Sequence, residues 1–247
     1  MKRLAIVIAL FALGSSALAV DIKRYETRLD VGADGNGRAQ AAVEVRKAAP
    51  GRLKLPTGFA ALPDFATDEA PAGAVMTPRS ADGTAWIELT LPEGVPAEFT
   101  LRFGFATPGV LAAPRPEKDQ KPTLPEGSRV LRHTFVNTQD ASIGRYALVA
   151  RLPSGEIVHR IQEQSPAVKR KEFTPRVELD RLDGQQSASL QLSGLRQGDR
   201  TAMAIEVVPA RRSPAWALML LPLALAWLWR FKDLARPSAA AAKGDAT

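Results

Sequence analysis

The 247-residue chain contains no cysteine. That excludes disulfides, thiol catalysis, cysteine redox chemistry, a lipidated N-terminal cysteine and most structural zinc sites. Histidine is almost absent, with His133 and His159 the only two. Neither falls in an H-E-x-x-H pattern, and no G-x-S-x-G nucleophile elbow exists. His133 shares strand parity with Leu131 and Phe135, and His159 with Ile157 and Ile161, so both are expected to pack as ordinary strand residues. The two asparagines, Asn36 and Asn137, head no N-x-S/T glycosylation acceptor. Of four tryptophans only Trp86 lies between residues 20 and 212, which is sparse for a sugar-stacking platform.

Charge of one sign is scarce as well. The formal net charge is +7, from 33 bases and 26 acids. Setting aside Lys2, Arg3 and the four bases and two acids after Trp229 leaves 27 bases against 24 acids, a surplus of +3 over the long middle segment. That is a mixed surface, and a nucleic-acid partner is not expected.

Long apolar runs are confined to the two ends. Met-Lys-Arg is followed by an almost wholly apolar Leu4–Leu13 and then by Ala17-Leu18-Ala19. A basic start, a short apolar stretch and small residues at a cleavage position read as a signal peptide over 1–19, with Val20 as the mature N-terminus. The other run, residues 213–229, carries no charge and reads as a transmembrane helix of minimal length. Trp216 lies at one edge and Trp227 and Trp229 at the other, where indoles favour headgroups. Arg230 and Lys232 follow as snorkelling cations, and Pro222 sits mid-span, where a membrane helix tolerates it. A cleaved sorting signal is the weaker alternative: Leu55-Pro56-Thr57-Gly58 resembles part of a sortase motif, but far from the apolar run. With no disulfide and no glycosylation site, the expected address is a bacterial inner membrane. The bulk of the chain would face the periplasm, and a short tail, 230–247, the cytoplasm.

Between the ends, strand signals dominate, and the expected fold is mainly β. Alternation through Tyr25, Thr27, Leu29 and Val31, a Gly/Asp/Asn-rich turn, and Ala39, Ala41, Val43 and Val45 predict a hairpin. Ile87, Leu89 and Leu91 form another buried face, and Phe99, Leu101, Phe103 and Phe105 the clearest one. Residues 107–128 are rich in proline and charge and read as a linker or a long excursion. Strands resume at 130–136 and 146–152. A turn at Pro153-Ser154-Gly155-Glu156 predicts a second hairpin into Ile157–Ile161, and further strands run to Val207. The spacing predicts an antiparallel β-sandwich, with units at 20–106 and 129–210. Residues 48–78 show little pattern.

Candidate chemistry is thin. Asp30–Ala41 has the look of a calcium loop, but aligning Gly35 as the turn glycine puts Gly32 and Ala41 where ligands belong, so a plain hairpin turn is expected. Lys169-Arg170-Lys171 is the one dense basic cluster, able to meet lipid headgroups or an acidic partner. No catalytic, cofactor or metal residue stands out. The expectation is a non-enzymatic, membrane-tethered β module that binds or scaffolds another envelope protein. The alternatives are an envelope hydrolase with a carboxylate pair that no motif would reveal, and a sensor signalling through a membrane partner.

Overall fold

The computed structural model describes residues 20–46, 48, 50–114, 125–139, 141–165, 176–182, 184–210 and 215–231. The leader reading (1–19), the basic cluster Lys169-Arg170-Lys171, and Lys232 lie outside them. Fourteen strands and one helix are described: β1 (Asp21–Val31), β2 (Gly37–Arg46), β3 (Gly51–Pro56), β4 (Ala66–Glu69), β5 (Val75–Ala81), β6 (Thr84–Leu91), β7 (Phe99–Thr107), β8 (Leu111–Ala112), β9 (Arg129–Val136), β10 (Ile143–Arg151), β11 (Glu156–Ser165), β12 (Arg176–Leu182), β13 (Gln185–Leu195), β14 (Arg200–Pro209) and α1 (Ala215–Phe231).

The fold is mainly β, in three sheets ordered β12-β13-β10-β1-β2-β7-β4, β11-β14-β9-β8 and β3-β6-β5. Every strand pair but one is antiparallel; β1 and β10 run parallel, with Tyr25 beside Tyr146 and Leu29 beside Ala150. Strands from both sides of the 107–128 interval thus share one sheet, and β8 falls inside that interval. Residues up to Pro209 form one compact unit, and residues from Ala210 a second.

The alternating faces pack as the pattern predicts. A register shift between Ile22 and Arg24 lets both Ile22 and Tyr25 face inward, after which Thr27, Leu29 and Val31 alternate into the core. Small residues on β2 make room for large ones across the sheet. Ala39 stands between Leu29 and Phe105, and Ala41 between Thr27 and Phe103. This pairing of small with large side chains across neighbouring strands lets the layer interdigitate. Inner faces of all three sheets contribute to one core, with Tyr25 of the first edge-on to Phe135 of the second at 5.5 Å.

Two expectations fail here. The turn at Pro153-Ser154-Gly155 does not close a hairpin: β10 pairs with β1 and β13, whereas β11 pairs with β14 in another sheet. The turn is a corner between sheets, held by the Leu152 amide donating to the Gln186 carbonyl at 2.9 Å and the Val158 amide donating to Gln186 Oε1 at 2.7 Å. Register shifts at Val158/Arg160 and Ile161/Glu163 break the alternation of β11, and Ile157 and His159 are exposed. The patternless 48–78 region holds β3, β4 and the start of β5, with the interior of β3 made of Leu53, Leu55 and Pro56.

In the second unit, α1 runs 17 residues with Pro222 inside it, Trp216 in its first turn and Arg230 in its last. Leu223, Leu225, Trp227, Leu228 and Trp229 are exposed. Among the described residues no helix is long and apolar enough to cross a membrane. A rise of about 1.5 Å per residue gives α1 roughly 25 Å, short of a hydrocarbon core of about 30 Å.

Candidate functional site: a cationic, aromatic groove beside β9

A groove of about 500 Å³ opens where β3, β6, the 57–63 loop, the 107–113 loop and one face of β9 meet. Each wall has a local reason for its position. The Tyr25 hydroxyl donates to the Pro56 carbonyl at 2.7 Å and fixes the end of β3 over the core. Thr57 Oγ1 donates to the Ala85 carbonyl at 2.8 Å, and the Ala85 amide donates to the Phe59 carbonyl, also at 2.8 Å. Further on, the Ala106 amide donates to the Pro63 carbonyl at 2.8 Å. The loop is thereby stitched to β6 and β7. Leu55, Thr57 and Gly58, the sortase-like residues, are fold determinants here, with Leu55 wholly buried.

The calcium-like turn turns out to hold the opposite rim. Asp34 Oδ2 accepts from Asn36 Nδ2 at 2.7 Å and Oδ1 from the Asn36 amide at 3.0 Å. These bonds hold the Asp34 carboxyl below its usual range and leave Asn36 Oδ1 to accept from the Gly109 amide at 2.9 Å. The Leu111 amide donates to the Gly35 carbonyl at 3.0 Å, and Arg129 Nη1 to the Ala33 carbonyl at 2.8 Å. The turn is a scaffold, and no group of three or more His, Asp or Glu capable of holding a metal occurs among the described residues.

Below Gly58 lies a buried polar cluster. His133 Nε2 is 2.7 Å from the Tyr146 hydroxyl, and Phe59 packs on the imidazole at 5.0 Å between centroids. Nδ1 makes no hydrogen bond among the described residues. Burial pushes the His133 pKa down to about 4, because a charged imidazole would lose its hydration there. Burial likewise raises the Tyr25 and Tyr146 hydroxyls above their ordinary range, Tyr146 further through its neighbour Tyr25. His133 packs on the inner face of β9 as expected. His159 is exposed on β11, in another strand and on no shared site.

The groove's own lining is chemically one-sided. Its charged members are Lys54 and Arg132, with no acid and no histidine among them. Lys54 Nζ lies 4.0 Å above the Trp86 ring, a cation–π contact worth about 0.5–1 kcal/mol at an exposed site. Its cross-strand acid, Glu88, is taken by Arg52 at 3.5 Å and Arg79 at 3.2 Å. Glu206, diagonal to Arg132 across the β9–β14 register, is held by Arg160, Gln162 and Ser128. The carboxylate pair needed by the hydrolase alternative does not face this groove. Lys54, Phe59 and Arg132 carry no sequence motif. Trp86 does carry a signal: it stands on the opposite parity from Ile87 and Leu89, a tryptophan on the outer face of a strand.

No family model matches the chain, and no curated protein matches it. Among solved structures, native yeast LTA4 hydrolase is similar over 77% of this chain and 29% of its own, at 9% identity and a TM-score of 0.40. The M1 zinc metallopeptidase from Deinococcus radiodurans is similar over 77% of this chain and 42% of its own, at 13% identity and a TM-score of 0.35. The chain spans less than half the length of either. Likeness at that level carries no argument about activity.

Proposed function

We propose that this chain is a membrane-anchored β-sandwich binding module that works outside the cytoplasm, on the periplasmic side of a bacterial inner membrane. In this reading its groove takes up a segment of another envelope protein. The groove carries the proposal. Its volume falls in the range of ligand sites, roughly 300–1,000 Å³. Its walls offer stacking, apolar contact and positive charge, which suit recognition rather than proton transfer. The anchor reading draws on α1. A helix with leucines and tryptophans exposed along it is costly in water, at about 25 cal/mol per Å² of apolar surface, and lipid would relieve that cost. Tryptophans and Arg230 toward its end match interfacial preferences, and tilt is unnecessary for so short a span.

The test is photo-crosslinking in intact cells. A photoreactive residue is placed at Thr134 in the groove, and separately at Gln191 on the exposed face of β13. One discrete protein adduct is expected from position 134, absent from 191 and lost with Arg132→Glu. No adduct from 134 under several growth conditions, or the same adduct from 191, would sink the proposal.

A further inference from the structure

We infer that the groove's occupant is an extended, acidic stretch of polypeptide that lies alongside β9 as an added strand. This rests on the binding role proposed above and adds the chemistry of the ligand. The first observation is an incomplete ladder. β9 pairs with β14 along its whole length, from Arg129 to Val136. On its other side β8 covers only Val130 and Leu131. Among the described residues, Arg132–Val136 have no strand partner on that side, and Arg132, Thr134 and Val136 line the groove. An open edge inside a groove is a template for strand addition.

The second observation is charge. Lys54 and Arg132 line the groove, no acid lines it, and neither cation has a carboxylate partner among the described residues. In a strand laid beside β9, side chains alternate between the two faces. Acidic residues on the face toward Arg132 and Lys54 would meet positive charge, and apolar ones would meet Trp86 and Phe59. Gly58 bounds this edge closely: a Cβ there would stand 3.0 Å from the Thr134 carbonyl oxygen, so any larger residue at 58 would crowd that acceptor.

The experiment uses the full chain in a mild non-ionic detergent and labelled peptides of alternating valine and glutamate, about ten residues long, long enough to span an ordinary strand. Counterparts carry lysine for glutamate, or N-methyl groups on alternate amides. Anisotropy reads binding, and amide exchange reads protection of residues 132–136. The glutamate peptide is expected to bind about tenfold or more tighter than either counterpart, to lose about tenfold with Arg132→Glu, and to slow exchange at 132–136. Equal binding of the glutamate and lysine peptides overturns the acidic preference. Undiminished binding of the N-methylated peptide, or no protection at 132–136, overturns strand addition. Competition by vesicles of anionic phospholipid, but not by the glutamate peptide, assigns the charge to lipid and overturns the inference. If no peptide binds below roughly 1 mM while the position-134 crosslink persists in cells, this inference fails and the binding role stands; loss of the crosslink as well removes both.

Discussion

Gly58 and Gly83 both hold a left-handed backbone, at φ of 78° and 70°, yet their surroundings differ. Gly83 follows Asp82, itself at φ 51°, in the two-residue turn that joins β5 to β6, and a Cβ there would meet nothing within 4 Å. Two successive residues with positive φ match the twist of the flanking strands. Gly83→Ala should therefore cost only backbone strain, about 1 kcal/mol. At Gly58 a Cβ would stand 2.5 Å from His133 Cε1 and 2.9 Å from Nε2, and the imidazole is boxed in by Tyr146 and Phe59. Gly58→Ala adds overpacking to the strain and should cost roughly 3 kcal/mol. Urea unfolding of the two variants measures the gap. Equal midpoints would mean that His133 can move aside and that the 57–63 loop is softer than its hydrogen bonds imply.

Among elements, α1 lends itself to a sharp test. If lipid covers its exposed leucines, charge at its centre should release it. Leu223→Arg combined with Leu225→Arg places two cations mid-helix, at about 3 kcal/mol each by insertion scales. After an alkaline carbonate wash the parent chain should stay in the membrane pellet and the variant should move to the supernatant; identical partitioning would sink the anchor reading. The strands, by contrast, were legible wherever one face was uniformly apolar, as in β1, β2, β6, β7 and the interior of β10. They were illegible where the apolar face is short and ends in proline, as with Leu53, Leu55 and Pro56 of β3, or where every position is exposed, as in β4. The corner after β10 was misread as a hairpin because Pro-Ser-Gly bends the chain equally well within a sheet or between sheets. What distinguishes them is Gln186, 28 residues beyond Val158, whose carbonyl and side chain capture the two amides. The groove was invisible for the same reason. Its walls come from four distant segments, its cations sit on solvent-facing parities, and only Trp86 marks it from within one strand.

For the molecule as a whole, the buried His133 ties stability to pH. Its folded pKa, about 4, lies below the ordinary value of 6.5. Between those values the unfolded chain binds a proton that the folded chain refuses. Stability from this group is complete above pH 6.5 and is lost as pH falls toward 4, by roughly 3 kcal/mol over the window. Denaturant midpoints from pH 7 down to 4 should fall for the parent chain and fall much less for His133→Phe. Parallel curves would show that another group governs the acid limit.

The parallel neighbour of β1 has a kinetic consequence. The hairpin of β1 and β2 closes locally, but the other edge of β1 must wait for residues 143–151, more than a hundred positions later. Until then it presents unpaired backbone groups, a site for mispairing. Closing so long a loop gives the domain a high contact order and predicts refolding on a millisecond-to-second scale rather than in microseconds. It also means that a chain cut near residue 115 would divide both the seven-stranded and the four-stranded sheet between two fragments, which regain the native core only by finding each other.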